Sequence, residues 1–421
     1  MKYQLHKIKN YNLLTVPIDD TEIIYVQSYI ISGRMNEDKN NSGISHLLEH
    51  VLTESWKKCK DDCAKYWGKK GIITNASTGD STINYYVEGL EKNYKEIIEY
   101  VVKITTDPHF KESRIKVEKK AVKEELSREM NDPGWMIANT ISKIFFSHQG
   151  LASGNNLPLQ IKNLKKLNFD ELKNYCQKIY TSKNILFIVA GNFEKEKILK
   201  TFRNSLPKIS NIGKKNLKSN ILNEIKKPIV KYIKNNNSKV AEIIISCVSN
   251  ICPWDKEALL FGRIVDILSG GMQGLLMRRL RTELHLVYNV KVYIEAEIVG
   301  TLATIETTGD QENVSLIVKN IKNILKDLLN GKWSDEQMNR IKDRKLIRDE
   351  KICKNTVFYG DFYGEQFANQ IYRENPKIYD YKDIMKYIKN ATKKDIIKAS
   401  KKIFDLNRLV TVYQCKTKQR I

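Results

Sequence analysis

His46-Leu47-Leu48-Glu49-His50 is the stretch from which the rest of the chain is read. There are only six histidines in 421 residues, and a chance H-x-x-E-H is expected in roughly one such chain in two hundred. On a helix, positions i, i+3 and i+4 share one face, so both imidazoles and the carboxylate project together. Asn41, Ser42, Gly43 and Ser45 supply capping residues just ahead, and Leu47, Leu48, Val51 and Leu52 are spaced to pack the opposite face. Two imidazoles one turn apart suit two positions of a tetrahedral Zn²⁺ with bonds of about 2.0–2.1 Å. Glu49 then reaches the open side, where a general base is needed. The competing reading is a buried histidine pair in ordinary hydrogen bonds.

Such a metal needs a third ligand from another element. In VEKKAVKEELSREM, Glu118 and Glu125 stand close to two helical turns apart and share a face, while Glu124 is rotated away by about 100°. Taken alone, these acids also read as a solvated helix face.

Lys+Arg 72 against Asp+Glu 49 gives a net charge of +23. Lys, Asn and Ile are spread along the whole chain, and no RNP-like motif, basic zipper or finger spacing is present, so nucleic-acid binding is not expected. A content of 41% hydrophobic residues excludes a mostly disordered chain. No run approaches the roughly 18 apolar residues of a membrane span, so membrane insertion is not expected either. The start, MKYQLHKIKNYNLLTVPIDD, carries no apolar leader segment, which predicts a cytoplasmic protein. Seven cysteines without a C-x-x-C are expected as reduced thiols, Cys59 and Cys63 among them.

The organisation is twofold. Residues 1–206 read as strand, helix, β-hairpin, helices and a last strand. Residues 207–234, rich in Lys, Asn and Ser, read as a linker, and residues 235–421 repeat the same order of elements. The expected fold class is α+β: two related α/β sandwich domains, each with helices on one face of a mixed sheet.

With these residues in view, the chain resembles the pitrilysin/insulinase family of zinc peptidases, in particular its short two-domain members similar to the mitochondrial processing peptidase β subunit. Gly33 and Glu37 match the family's G-x-x-x-E strand end, and His46, Glu49 and His50 its zinc helix. Asn75, Ala76 and Thr78 match its substrate-binding edge strand. Glu125 stands where the third zinc ligand lies, and Glu118 where the acid supporting the ligands lies. Arg281 and Tyr288, in LRTELHLVYNV, match the R-x-x-x-x-x-x-Y pair of the second half. Read locally, that pair is a surface arginine and a packed strand tyrosine. After His50 the chain departs from the family pattern, with Val51-Leu52-Thr53-Glu54-Ser55-Trp56 in place of an apolar stretch and Gly-Thr.

The resemblance implies a zinc endopeptidase with one Zn²⁺ per chain held by His46, His50 and Glu125. In it, Glu49 is the general base and Glu118 orients a ligand. Asn75, Ala76 and Thr78 bind an extended peptide, Tyr288 stabilises the oxyanion and Arg281 holds the peptide backbone. It also implies a closed chamber made by two chains, a homodimer here, with a heterodimer or a non-catalytic partner subunit as alternatives. The substrates implied are unfolded peptides or leader segments, with acidic ones favoured by the +23 charge.

Overall fold

A computed structural model describes residues 3–60, 62–109, 111–132, 134–146, 156–208, 222–297, 300–334, 336–337, 355–370 and 376–421. Its strands are β1 (Gln4–Ile8), β2 (Tyr11–Pro17), β3 (Ile23–Ile30), β4 (Ile73–Thr78), β5 (Ile83–Leu90), β6 (Ile185–Gly191), β7 (Ile229–Lys234), β8 (Ala241–Ser249), β9 (Val287–Glu297), β10 (Gly300–Gly309) and β11 (Val410–Cys415). The α-helices begin with α1 (Ile44–Thr53), α2 (Cys63–Gly68), α3 (Tyr94–Thr106), α4 (Glu112–Glu129), α5 (Gly134–Phe145), α6 (Leu157–Lys166), α7 (Phe169–Ile179) and α8 (Lys195–Ser205). They continue with α9 (Phe261–Ser269), α10 (Val314–Leu329), α11 (Thr356–Ala368), α12 (Tyr381–Asn390) and α13 (Lys393–Ile403). Among the described residues no helix is long and apolar enough to cross a membrane.

The chain forms two units, neither contiguous in sequence. The first comprises Met1–Asn131, Gln149–Lys218 and Lys351–Asp380; the second comprises Asp132–His148, Ser219–Glu350 and Tyr381–Ile421. In the first, the sheet runs β1-β2-β6-β3-β5-β4. Its β2–β6 pair is parallel and the β6–β3, β3–β5 and β5–β4 pairs are antiparallel. In the second, the sheet runs β7-β11-β8-β10-β9, again with one parallel pair, β7–β11, followed by antiparallel ones. The mixed-sheet repeat expected from the order of elements is therefore present strand for strand, with β1 as an addition to the first unit.

Helices cover both faces of each sheet rather than one. In β3, IIYVQSYI, every residue after Ile23 is buried, as a central strand packed on both sides requires. Ile24 lies opposite Gly89, whose Cα faces Ile97 of α3. Tyr25 and Tyr29 point the other way, onto α11, where the Tyr25 hydroxyl donates to Asp361 at 2.8 Å. That helix lies close because Gly360 and Gly364 leave room for the two rings: a Cβ at either would meet them at 2.5 and 2.7 Å. In the second unit Val410 and Val412 of β11 pack with Ile137, Ile141 and Phe145 of α5, while Tyr413 and Cys415 join the larger core on the other face.

Three further expectations change. The linker expected at 207–234 ends in a strand, β7, at the sheet edge; residues 209–221 lie outside the described residues. Lysines in IVKYIK are usual on an exposed edge, which is why composition hid the strand. In the repeated order of residues 235–421, the helical segment just before the hairpin takes the π form, over Met277–Glu283. Cys59 and Cys63 are joined in a disulfide rather than reduced. Lys60, at φ 51°, turns the chain between them and brings their Cα atoms to 4.7 Å. Cys176, Cys247, Cys252 and Cys415 take part in no disulfide among the described residues, and Cys353 lies outside them.

Candidate metal centre

Helix α1 starts at a left-handed residue, Gly43, with φ 95°, a conformation that favours glycine. The first backbone donors of the helix are taken by one buried carboxylate. Glu37 accepts from Gly43 N–H at 2.9 Å and Ser45 N–H at 3.0 Å, an acid placed at the positive end of the helix dipole. Burial pushes the Glu37 carboxyl up, against these two donors. Leu47, Leu48, Val51 and Leu52 are buried, so the apolar face of α1 is locked into the unit and its orientation fixed. His46, Glu49 and His50 are left facing a cleft of about 580 Å³.

Helix α4 packs on α1, burying Ile115, Glu118, Val122 and Leu126. The two-turn spacing then sends Glu118 and Glu125 toward the histidines while Glu124 is exposed. Glu125 Oε2 lies 3.7 Å from His46 Nε2 and 3.5 Å from His50 Nε2. One donor atom from each of the three residues lies within 4.8 Å of the other two. Ligands of one tetrahedral Zn²⁺ are spaced about 3.3 Å apart, so these donors fit one ion. His50 Nδ1–H donates to Glu118 Oε2 at 3.2 Å, which leaves the Nε2 lone pair toward Glu125, the usual support for a metal-binding histidine.

The electrostatics match that assignment. Burial, helped by the charge of His50, pulls His46 down to about 4, so its imidazole is neutral at pH 7. For His50, burial acts in the same direction but is outweighed by the hydrogen bond from its ring to Glu118 and by the charges of Glu49, Glu118 and Glu125; its pKa rises. Burial pushes the Glu49 carboxyl above the usual range, and the Thr78 hydroxyl, donating to Glu49 Oε2 at 2.7 Å, acts against it.

Thr78 ends β4, the edge strand of the sheet. Asn75 to Thr78 line the same cleft as the donors. The Asn75 side chain accepts from Ala76 N–H and donates to Tyr86. Among the described residues β4 pairs with β5 on one side and with no strand on the other, an open edge of the kind onto which extended chains can add. The expected edge-strand residues are thus beside the expected metal ligands.

Arg281 and Tyr288 belong to the second unit. Arg281 sits in the π-helical segment, a form often found at functional positions. Its guanidinium carbon lies 4.8 Å from the centre of the Tyr288 ring. Tyr288 is 78% exposed, so the packed strand tyrosine of the local reading is replaced by a ring held out to solvent under a cation.

A helix-borne H-x-x-E-H with a carboxylate from a second helix, on one of two repeated α/β units, defines an inverted-motif metallopeptidase architecture. Residues 15–155 match the profile described as insulinase (peptidase family M16), and residues 166–345 the profile described as peptidase M16 inactive domain. The chain belongs to this insulinase family. A Rickettsia felis protein named an uncharacterized zinc protease is 24% identical, over 96% of this chain and 95% of its own. A Helicobacter pylori protein named a non-peptidase homolog is 21% identical, over 79% of this chain and 77% of its own. The crystal structure of a protease from Helicobacter pylori superposes with a TM-score of 0.87 at 17% identity, over 98% of this chain and 99% of that one.

Proposed function

We propose that the protein is a zinc-dependent endopeptidase that cleaves unfolded peptides or leader segments. The observation that carries this is the convergence of His46, His50 and Glu125 with Glu49 beside them. His46, His50 and Glu125 would hold a Zn²⁺, which would supply Lewis acidity and lower the pKa of water towards ~7. Glu49 takes a proton from the attacking water and returns it to the leaving amine nitrogen, with Thr78 holding one of its oxygens in place. Glu118 keeps His50 in the tautomer that offers Nε2. The edge of β4 takes the substrate as an added strand, and Asn75, Ala76 and Thr78 set its depth in the cleft. Tyr288 donates to the oxyanion of the tetrahedral intermediate, and Arg281 positions its ring and the peptide backbone. The active assembly is a homodimer in which each chain lends Arg281 and Tyr288 to the other.

The net charge of +23 steers acidic peptides from a distance, whereas the cleft itself is lined by Glu37, Glu49, Glu54, Glu125 and Glu129 against Arg34. A second reading, a non-catalytic partner subunit, draws on the relative named a non-peptidase homolog. The complete donor set of this chain weighs against it. The deciding experiment is the zinc content of the purified protein, with peptide cleavage assayed before and after chelation. One Zn²⁺ per chain and cleavage abolished by chelator and restored by Zn²⁺ are expected. Zinc without cleavage of any unfolded peptide favours the partner subunit.

A further inference from the structure

One arginine pairs with the carboxylate that supports His50. Arg114 is on α4, one turn before Glu118, with Nη2 at 2.6 Å from Glu118 Oε1 and 3.7 Å from Glu54 Oε1. The other oxygen of Glu118 is the one that accepts from His50 Nδ1. Glu54 caps the C-terminus of α1, and its second oxygen accepts from Cys63 N–H at 2.8 Å. Arg114 therefore stands between a carboxylate at the end of the helix that carries both histidines and a carboxylate on the helix that carries Glu125.

An i,i+4 pair on a helix surface contributes little, but this one is not on the surface: the Glu118 and Glu54 side chains are 7% and 11% exposed. Two shielded carboxylates side by side need a shared counter-charge. Arg114 supplies it through Nη2, which lies against Glu118 with Glu54 at the longer distance, and a guanidinium keeps its charge when shielded where a lysine ammonium gives up its proton more readily. A carboxylate held on one oxygen alone can rotate about its last torsion. Held on both, Glu118 cannot, and the direction in which it presents Oε2 to His50 is fixed.

We propose that Arg114 is a positioning residue for the metal centre: through Glu118 it fixes the ring plane and tautomer of His50, and through Glu54 it sets the spacing between the two helices that supply the ligands. This rests on reading His46, His50 and Glu125 as a zinc site.

The test is the affinity of the full chain for Zn²⁺ alone, measured by competition with a chromophoric chelator. It is applied to the wild type, Arg114→Met, Arg114→Lys, Glu118→Gln and the Arg114→Met/Glu118→Gln double variant, with near-ultraviolet circular dichroism as the check on folding. Arg114→Met is expected to weaken Zn²⁺ binding about 10–100-fold, the range for losing a residue that supports a ligand. Arg114→Lys should recover part of that loss. In the Glu118→Gln background, Arg114→Met should cost less affinity than in the wild type, because only the part of its effect that passes through Glu54 is left. Where Arg114→Met does not fold, Arg114→Lys decides: wild-type affinity in that variant overturns the proposal. So does an Arg114→Met protein that binds as the wild type does, or one that loses as much with Glu118→Gln as without it. A wild type that takes up no Zn²⁺ removes the metal-site reading itself, and the role of Arg114 with it.

Discussion

In the first unit the helix beside the edge strand is α1, lying on β4; in the second it is α9, lying on β9. Strand order and strand direction agree between the units, and each helix buries aliphatic residues in its own unit: Leu47, Leu48 and Val51 in one, Ile264, Ile267 and Leu268 in the other. The cleft-facing positions differ. Helix α1 carries His46, Glu49 and His50, whereas α9, FGRIVDILS, has no histidine or glutamate. The architecture supplies an edge strand with a helix beside it twice, and in the first copy that helix carries two of the three clustered donors, with Glu125 of α4 as the third. The second copy instead carries Arg281 just before, and Tyr288 within, its own edge strand.

Substitutions can break this division of labour or sharpen it. Glu49→Gln, in the first unit, should have the largest effect. Cleavage should fall by about 10²–10⁴-fold, the range for a lost general base, with zinc content by elemental analysis unchanged. Activity close to that of the wild type would place the base elsewhere. Tyr288→Phe, in the second unit, should lower kcat on the order of 10²–10³-fold, as for a lost oxyanion donor. Mixed dimers of the Glu49→Gln and Tyr288→Phe chains should regain part of the activity, because one of their two sites then carries both residues intact. No recovery in verified mixed dimers would show that the pair does not act across chains.

The smallest effect is expected at Thr78. Its hydroxyl donates to Glu49 and favours the ionised form, against the burial that favours the neutral one. Thr78→Val removes this opposing hydrogen bond, so Glu49 takes up its proton at higher pH on acidification. The acid limb of the kcat/KM profile should move to higher pH while the plateau above it changes little. A limb that stays in place or moves to lower pH would separate Thr78 from the base.

The centre was legible in the sequence because helix geometry maps spacing onto position. Once 44–53 and 112–129 are helices, His46, Glu49 and His50 must share a face, as must Glu118 and Glu125. The repeat was legible for a similar reason, since strands β3, β5, β8 and β10 alternate apolar and polar or run apolar throughout. What escaped depends on contacts between distant residues. Arg114 looks like any basic residue on a lysine-rich helix until Glu54 and Glu118 close around it. Edge strand β7, with its lysines, shares the composition of a linker. The second helical layer of each sheet escaped because α5 and α11 pack on strands far from them in sequence.

That last arrangement governs how the polypeptide can be made. As the chain leaves the ribosome, the sheet of β1 to β6 is complete by residue 191, yet the helix that shields Tyr25, Tyr29 and Ile188 does not emerge until residue 368. Conversely, α5 is synthesised well before Val410 and Val412, its partners in β11. The first unit cannot close during translation until α11 is made, so a nascent intermediate with one bare apolar sheet face persists while residues 192–368 are synthesised, a state open to chaperone capture.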